Sequence, residues 1–323
     1  MILESISILA FSLLIDFTFG DPKTKYHPTA WMGSLISLLT PFVRHKSEIH
    51  EKIGGILLVI AVASIVASLF FLLDLGIDLI TIDYLHLLIS VIVGALILKS
   101  TIAIRGMEIH ANHVISALEA NDIESARNHL SMIVKRKTKN LDKNHVYSGV
   151  IESISENTVD GITAPLFYYG IFGIMGALVY RAINTIDSMI GYKNSIFRNI
   201  GWFGANCDNV LNYLPSRLTG FVMILSAMIL RKDWKKSYQI MIRDGKKTHS
   251  PNAGYPMAAI AGALGTRFEK IDHYSLGDGN IEFTKQHVRS AILLMKTTSI
   301  LFSMVIVLPI IILLNYFGWW IHA

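Results

Sequence analysis

Long apolar stretches alternate with polar connections along the chain, and this pattern predicts membrane helices. Gly54–Leu73 and Thr297–Phe317 contain no Asp, Glu, Lys or Arg. Each has about 20 residues, the length that an α-helix needs to cross the hydrocarbon core of a bilayer. Ile2–Phe19 and Tyr84–Ile104 are nearly as apolar, and Lys99 in the second is placed to extend its ammonium group to the membrane interface.

Two further apolar stretches are less regular. Ile162–Tyr180 contains Pro165 and several glycines, and Leu218–Leu230 is short for a membrane helix. Each is compatible with a full crossing, a partial crossing or a re-entrant segment buried in protein. The whole pattern predicts an all-α polytopic membrane protein with about four to six membrane segments.

The polar connections predict structure outside the bilayer. Residues 105–160 show helical periodicity, with a turn and N-cap at Asn121–Asp122 and another helix beginning near Asp142. In the second long connection, 231–296, the stretch 266–283 predicts a small β-hairpin around its Leu-Gly-Asp-Gly-Asn sequence. We therefore expect one integral-membrane domain over 1–323 with these two polar connections.

The distribution of charge predicts the side of the membrane. Residues 74–83 carry aspartates but no Lys or Arg, whereas 19–53 and 105–161 are rich in basic residues. Cytoplasmic loops are enriched in Lys and Arg, so 74–83 is predicted outside and the basic segments inside. Six simple crossings would also place 231–296 inside, but would place 181–217 outside.

Composition supports the membrane assignment and narrows the function. Of the 323 residues, 52% are hydrophobic and 16% are charged, with a formal net charge of +5. Soluble domains carry about 25% charged residues, so an ordinary cytosolic enzyme is not expected. Basic cytoplasmic loops account for the positive charge, and no nucleic-acid recognition motif accompanies it. Cys207 is the only cysteine, which excludes an intrachain disulfide and a Cys-based zinc site.

Five polar clusters beside the apolar stretches carry the candidate chemistry. The first, Gly20–Pro28, is a turn with a carboxylate, two ammonium groups and an imidazole. In the second, Glu152, Glu156 and Asp160 recur every four residues, which places them on one helix face. Such carboxylates repel one another unless a cation lies between them, and Mg²⁺ held with substrate phosphates would provide that charge. A solvated acidic helix face is the alternative.

The other three clusters offer cations and amides. Arg181, Asn184 and Asp187 recur at helical spacing, and 206–217 ends in Arg217, which can bind a phosphate or carboxylate through two parallel hydrogen bonds. In His249–Pro256, two prolines fix a loop whose backbone N–H groups can face an anion, although a purely structural loop is equally compatible. No P-loop, Rossmann, nucleophile-elbow or zincin motif occurs. The spacing predicts a polar, metal-dependent, anion-binding site without defining the reaction.

Taken together, the clusters resemble one family, the adenosylcobinamide-phosphate synthases, which are membrane enzymes of cobalamin biosynthesis. The resemblance lies in five successive segments, Gly20–Gly33 (GDPKTKYHPTAWMG), Glu152–Tyr168 (ESISENTVDGITAPLFY), Tyr180–Asn194 (YRAINTIDSMIGYKN), Asp208–Arg217 (DNVLNYLPSR) and Ser250–Gly265 (SPNAGYPMAAIAGALG). Their order and spacing agree with the family from about residue 9 to residue 290.

The resemblance implies an ATP- and Mg²⁺-dependent ligase. It would join a propionate carboxylate of adenosylcobyric acid to aminopropanol, or to its phosphate, giving adenosylcobinamide or adenosylcobinamide phosphate. A carboxylate is a poor acyl donor, so it must first be activated, most simply as an acyl phosphate. The enzyme would be a multi-pass protein of the cell membrane with its active site facing the cytoplasm.

The implied chemistry assigns roles to the matching positions. Catalytic roles are expected for Glu156, Asp160, His27, His249 and Asn252. One of the two histidines would accept the amine proton, although a His beside Pro is more often structural. Substrate or phosphate binding is expected for Asp21, Lys23, Asn157, Arg181, Asn184, Lys193, Asp208, Asn212, Arg217 and Ser250. Metal ligands are expected at Glu152, Glu156 and Asp160, or at Asp187 with Asp208.

Two positions depart from the family pattern. Lys137 stands where an Asp usually precedes Thr138, and Met257 replaces a common Glu after Pro256. The roles of those two acids in the family therefore cannot be assigned to this chain. The identity of the amine substrate is left open for the same reason. A transporter or sensor that binds an anionic ligand without chemistry is the alternative function.

The implied chemistry also conflicts with the simple count of crossings. A single cytoplasmic site requires that 181–217 reach the cytoplasmic side or the inner half of the membrane. We therefore expect Ile162–Tyr180 and Leu218–Leu230 to dip into the membrane instead of crossing it, so that the clusters join in one pocket.

Overall fold

A computed structural model describes residues 2–22, 24–134, 136–192, 194–270, 274–279 and 282–318. In chain order its helices are α1 (Ile2–Phe19), α2 (Pro28–Leu39), α3 (Glu48–Asp78), α4 (Asp83–Lys99), α5 (Ile104–Glu119), α6 (Ile123–Ser131), α7 (Lys143–Thr158), α8 (Ala164–Ile190), α9 (Trp202–Leu211), α10 (Tyr213–Ile229), α11 (Trp234–Asp244), α12 (Gly254–Leu264), α13 (Lys285–Phe302) and α14 (Leu308–Tyr316). Two short strands are β1 (Phe268–Lys270) and β2 (Tyr274–Leu276). The prediction of an all-α protein with one small hairpin is confirmed.

Helices long and apolar enough to cross a membrane confirm a multi-pass membrane protein. In the described part of the chain there are five such stretches, namely Ile2–Phe19, Glu48–Asp78, Asp83–Glu119, Lys143–Ile190 and Lys285–Tyr316. Along α3, large apolar side chains such as Leu57, Ile60 and Leu69 are exposed. Apolar surface of this extent on a long helix is stable in lipid, where every backbone polar group must be satisfied within the helix.

The chain divides into two compact units. The first comprises Met1–Ala103, Ala164–Leu211 and Val305–Ala323, and the second comprises Ile104–Thr163 and Asn212–Met304. In the first unit α1 packs on α4, and α3 packs on α2, α8 and α9. Its core contains Met32 and Ile36 from α2, Leu58 and Val62 from α3, and Ile186 from α8.

The chain reverses its direction within α8. Phe172 and Gly173 leave the helical conformation, and Gly173 has φ of 64°, a value that a residue without Cβ adopts at little cost. The rings of Tyr168 and Tyr180 stack with centroids 5.3 Å apart. Twelve residues of straight helix would separate them by about 18 Å, so the two halves of α8 fold against each other. The Ile162–Tyr180 stretch is therefore a turning segment and not one simple crossing.

This reversal places the end of α8 beside the beginning of α3. Asn199 donates to a Glu51 carboxylate oxygen at 3.2 Å, and the Arg44 guanidinium lies 3.4 Å from the Ile196 carbonyl. The turn of residues 194–201 consequently lies at the same end of α3 as the basic segment 19–53. The count of six simple crossings, which placed this turn at the opposite end, is wrong because it gave Ile162–Tyr180 a single pass.

The second unit contains the helical connections predicted outside the bilayer. Asp122 accepts from the Ser125 amide and Asp142 from the His145 amide, each at 2.9 Å, so the predicted N-caps of α6 and α7 are confirmed. Helix α7 packs on α13, α5 and α12, and α11 packs closely on α12. These contacts bury apolar side chains from the predicted connections in the core of the second unit.

The hairpin is shifted relative to the sequence prediction. Strands β1 and β2 pair in antiparallel register, with Phe268 opposite Leu276. Leu276 thus ends β2, and residues 277–279 follow the hairpin instead of forming its turn. The connection 271–273 and residue 280 lie outside the described residues. Helices α2, α9 and α11 were not predicted, because their short amphipathic patterns are weak beside the long apolar stretches.

Candidate functional site

The first polar cluster is anchored by a buried lysine. The Lys99 ammonium group lies 2.5 Å from Asp21 and 3.5 Å from Asp16, whose side chain is fully buried. Only 5% of the Lys99 side chain is exposed. The two carboxylates hold this ammonium group inside the first unit, and its position at the membrane interface stays a prediction.

Asp21 in turn orients His27. A carboxylate oxygen of Asp21 lies 3.4 Å from His27 Nε2, while His27 Nδ1 accepts from the Thr29 amide as the N-cap of α2. Burial opposes ionisation of Asp21, but hydrogen bonds from His27 and Lys99 outweigh it and lower the pKa of this carboxyl to about 2. Both ring nitrogens of His27 thus have partners, and these contacts fix the orientation of the imidazole ring.

The third and fourth clusters meet in the first unit. Asn184 donates to an Asp208 oxygen at 3.0 Å, and Arg181 Nη1 lies 3.4 Å from the Asn184 side-chain oxygen. Asn184 and Asp208 are both buried. The helical spacing of Arg181 and Asn184 therefore does place them together, and α9 supplies the Asp208 carboxylate.

Asp187, another expected residue of this unit, lies at the end of α8. The Asp187 carboxylate packs against the backbone of Gly191, so closely that a Cβ there would lie 2.1 Å from an Asp187 oxygen. Lys23 and Lys193, both expected to bind phosphate, lie outside the described residues.

In the second unit, Glu152 is neutralised by protein groups. Arg136 donates to it at 3.1 Å, and the hydroxyls of Ser148 and Tyr274 donate at 2.7 Å each. Burial and the Glu152 charge raise the pKa of the Tyr274 phenol, which keeps it a donor. Glu152 is 7% exposed, so its charge is directed at Arg136 and not at a solvent-accessible cation.

Glu156 and Asp160 have different surroundings from Glu152. Glu156 is exposed one turn further along α7, and Asp160 lies in a π-helical turn over Val159–Thr163. This turn changes the angular spacing after Thr158, so Asp160 does not simply continue the α-helical face of the other two. Asn157 donates to the Ser153 carbonyl at 2.9 Å.

Arg217 joins the fourth motif to the fifth. Its guanidinium donates to the side-chain oxygen of Asn252 at 3.1 Å and lies 3.3 Å from the Pro251 carbonyl. The same group stacks on Tyr213, 3.5 Å from the ring centroid, and on Tyr255 at 4.4 Å. Its Nη1 also donates to the Tyr213 carbonyl at 2.6 Å and lies 3.3 Å from the Ser216 hydroxyl. Two aromatic faces and these protein acceptors therefore fix one cation against the Ser-Pro-Asn loop.

The loop itself is held by Ser250. Its hydroxyl accepts from the amides of Asn252 and Ala253 at 3.3 Å each. Two backbone N–H groups that sequence reasoning offered to an anion are therefore directed at this hydroxyl. Asn252 and Asn212 are buried, whereas His249 is exposed at the start of the loop.

A fully buried aspartate connects this region to the hairpin, and sequence reasoning missed it. Both Asp244 oxygens accept from Arg243 at 2.7 Å, while Lys247 lies at 2.6 Å and the Gly277 amide donates at 2.9 Å. Burial opposes its ionisation, but these hydrogen bonds hold the pKa of Asp244 well below its usual range. Arg243 also pairs with Asp278 at 2.7 Å.

Sequence patterns gave no direct indication of these buried partners. Lys99 lies at the end of an apolar stretch, and Arg136 and Asp244 lie among basic residues. The character of these neighbours therefore concealed the role of each residue. A lone charge at the end of an apolar stretch was the available indication for Lys99 and Asp16. Among the described residues, no group of three or more His, Cys, Asp and Glu side chains could hold a metal ion.

Comparison with known proteins agrees with the family resemblance. A family model described as "CobD/Cbib protein" matches residues 9–295. A relative from Methanothermobacter thermautotrophicus, "Probable cobalamin biosynthesis protein CobD", is 37% identical over 302 residues, covering 94% of this chain and 97% of the relative. "Cobalamin biosynthesis protein CobD" of Geobacter metallireducens is 38% identical over 282 residues, covering 87% of this chain and 84% of the relative. No solved structure matches the chain. The chain therefore belongs to the CobD/Cbib protein family.

Proposed function

We propose that the protein is an enzyme of cobalamin biosynthesis that forms an amide bond between adenosylcobyric acid and aminopropanol or its phosphate, with consumption of ATP. The names of its relatives support the pathway, since both describe cobalamin biosynthesis proteins. The contact between Arg217 and Asn252 supports chemistry on an anionic substrate, because it gathers two family motifs around one fixed cation.

The reaction proceeds in two steps. A propionate oxygen of the corrinoid attacks the γ-phosphorus of ATP, the bond between this phosphorus and the ADP oxygen breaks, and an acyl phosphate forms. The amine nitrogen then attacks the acyl carbon, inorganic phosphate leaves, and the amine loses a proton to a base. Each step moves negative charge onto phosphate oxygens, so a positioned cation lowers the barrier.

Arg217 is the best-positioned cation of the second unit for this role. The guanidinium group is half-buried, and its planar donors match phosphate geometry. Its fixed contacts with Tyr213, Tyr255 and Asn252 mean that little side-chain entropy is lost when an anion binds.

His249 is a better candidate base than His27. His27 is partly buried, and its Nδ1 caps α2 by accepting from the Thr29 amide. His249 is exposed next to Ser250, at the loop that Arg217 fixes. An exposed imidazole can accept the amine proton and pass it to water.

Mg²⁺ enters with ATP, and two acidic residues at the end of α7 and in the π-helical turn after it fit this use. Mg²⁺ in phosphoryl-transfer sites is usually held by one or two carboxylates and by substrate phosphates, so a complete protein cage is not required. Glu156 and Asp160 would hold it, since Glu152 is neutralised by Arg136. When bound, the ion neutralises phosphate charge.

The assay of the complete reaction tests the proposal. Detergent-solubilised protein is incubated with adenosylcobyric acid, MgATP and either aminopropanol or its phosphate, and the corrinoid is analysed by mass spectrometry. We expect the mass of the amide product together with ADP. A folded protein that gives no product with any aminoalcohol or its phosphate would contradict the ligase assignment.

An Arg217→Lys variant is the informative comparison. It keeps the charge but loses the planar fork and the stacking, so we expect product formation to fall at least about tenfold. Arg289→Lys, at an exposed position of α13, is the matched control and should retain activity. Saturable counterflow of the corrinoid in liposomes, without product, would instead support the transporter alternative.

A further inference from the structure

A cavity of about 370 Å³ lies in the first unit, and none of the expected site residues lines it. One side is formed by Ser37, Thr40 and Arg44, which belong to α2 and the turn after it. The other side is formed by Met189, Ile190 and Phe197 at the end of α8 and in the following turn.

The cavity uses a different face of α8 from the polar network. Ile190 follows Ala182 and Ile186 at helical spacing, and all three belong to the apolar core formed with α2 and α3. Asn184 contacts Asp208 of α9 instead. The cavity is therefore separate from the Arg181–Asn184–Asp208 network.

The position of the cavity along α3 corresponds to the headgroup level of a bilayer. Arg44 lies just before Glu48, where α3 begins, and the uncharged stretch Gly54–Leu73 of this helix forms the hydrocarbon-spanning part. Asn199 and Glu51 connect the same end of α3 to the turn that carries Phe197. This end belongs to the basic segment 19–53, which is predicted to be cytoplasmic.

Arg44 gives the cavity a positive charge and several N–H donors. Its side chain is exposed, its Nη2 lies 3.4 Å from the Ile196 carbonyl, and its guanidinium lies 5.6 Å from the centre of the Phe197 ring. A guanidinium has five N–H donors, so these contacts leave others for a ligand. The exposed Ser37 hydroxyl adds a donor on the same side.

Large exposed apolar side chains are the sequence neighbours of residues that line this cavity. Leu38 is 64% exposed, Phe42 80% and Ile196 51%. A free phosphate ion would gain nothing from them, whereas a lipid would place its phosphate at Arg44 and its acyl chains along the apolar side chains. Basic pockets between membrane helices bind the headgroups of anionic lipids.

We propose that this cavity binds the phosphate headgroup of an anionic glycerophospholipid, with Arg44 as the principal contact. The occupant joins α2 to the end of α8, so it also holds these two elements together at the membrane surface.

Lipid retention by the purified protein tests this site. The protein is reconstituted in phosphatidylcholine nanodiscs with or without phosphatidylglycerol, and bound lipid is counted by native mass spectrometry. Wild-type protein should retain phosphatidylglycerol, and Arg44→Gln should lower its apparent affinity at least about tenfold. Arg198→Gln removes an exposed charge from the same end of the unit without altering the cavity lining, so it should behave as wild type.

Three outcomes would overturn the proposal. Equal retention by wild type and Arg44→Gln would exclude Arg44 as the contact. Equal losses in Arg44→Gln and Arg198→Gln would mean general charge attraction instead of a site. Displacement of the lipid by inorganic phosphate at similar concentration would identify a free-phosphate site. A melting temperature of Arg44→Gln in lipid-free detergent close to that of wild type shows that the variant is folded in each comparison.

Discussion

Glu152 and Glu156 lie one helical turn apart on α7 but have different surroundings. Glu152 is buried with Arg136, Ser148 and Tyr274, whereas Glu156 is exposed. Removing one partner of a buried ion pair leaves the other charge uncompensated, which costs about 3–5 kcal/mol. Removing an exposed carboxylate costs little stability. Substitution of Glu152 should therefore lower folding stability, whereas substitution of Glu156 should lower turnover.

We predict that Glu156→Gln lowers ligase turnover at least about tenfold, equivalent to about 1.4 kcal/mol, with little change in melting temperature. Glu152→Gln should lower the melting temperature in detergent markedly, because Arg136 loses its carboxylate. Turnover and thermal unfolding are measured on both variants. Glu124→Gln on α6, which removes a carboxylate paired with Arg127, is the control and should change neither. Full turnover by Glu156→Gln would leave the exposed acid as an ordinary solvated residue.

Asp21 makes the stability of the first unit depend on acid pH. Its folded-state pKa of about 2 lies below the ordinary value of 3.8. The ionised carboxylate therefore stabilises the fold above about pH 4, and this contribution disappears as the pH falls towards 2.

We predict that wild-type protein loses more stability between pH 4 and pH 2 than Asp21→Asn does, because the amide cannot titrate. The comparison is the melting temperature of both proteins across this range in a non-ionic detergent. Asp233→Asn supplies the control, since Asn is an equally good N-cap for α11 and the variant keeps the pairing of Asp21 with Lys99. Parallel curves for wild type and Asp21→Asn would contradict the role of this carboxylate.

At the scale of elements, α11 and α12 approach each other so closely that their backbones are in contact at Gly262. A Cβ at Gly262 would lie 2.5 Å from the Lys236 carbonyl oxygen. Ser237 also donates across the contact to the Ala259 carbonyl at 2.8 Å. A backbone-to-backbone contact of this kind cannot relax by a change of rotamer. The glycine therefore sets the distance between the helix that carries Asp244 and the helix that follows the Ser-Pro-Asn loop.

We predict that Gly262→Ala destabilises the protein by about 1–3 kcal/mol, because the methyl group forces the two helices apart. Gly76→Ala in α3 is the matched control, since a Cβ there meets no atom within 4 Å. Alanine favours a helix over glycine by about 0.5–1 kcal/mol, so this control should be neutral or stabilising. Thermal unfolding of both variants measures the difference, and equal melting temperatures would show that the contact between α11 and α12 yields easily.

At the scale of the whole molecule, the reversal in α8 decides on which side its end lies. The turn of residues 194–201 contacts the first turn of α3 through Asn199 and Glu51. The segment 19–53 at that end is basic, whereas the connection 74–83 at the other end of α3 is acidic. Both observations favour a cytoplasmic location for the 194–201 turn.

We predict that a cysteine at Ser195, in a Cys207→Ser background, resists membrane-impermeant thiol reagents in intact cells and reacts in inverted vesicles. Ser195 is exposed, and its neighbour Asn194 is avoided because the Asn194 side chain accepts from the Ile196 and Phe197 amides. A cysteine at the exposed Thr81, in the acidic connection, should show the opposite pattern. Labelling of both positions from the same side would contradict the orientation.

The local sequence determined the membrane helices, two helix starts and the positions of the polar clusters. A run of apolar residues in lipid has few structures available other than a helix, so the membrane helices followed from hydrophobicity alone. Asp122 and Asp142 marked helix starts because a capping side chain bonds to backbone a few residues away. The five polar clusters were visible because polar residues beside apolar stretches are costly without a partner or ligand.

Only the tertiary structure decided which partners these groups have. Lys99 reaches Asp21 across 78 positions, and Arg217 reaches Asn252 across 35, so neither contact leaves a local periodicity. The reversal of α8 depends on the backbone of Gly173 and on stacking between Tyr168 and Tyr180, which hydropathy does not record. The local sequence determines which secondary structure each segment forms. Contacts between residues far apart in the sequence depend on tertiary packing, which is complete only when the whole chain has folded.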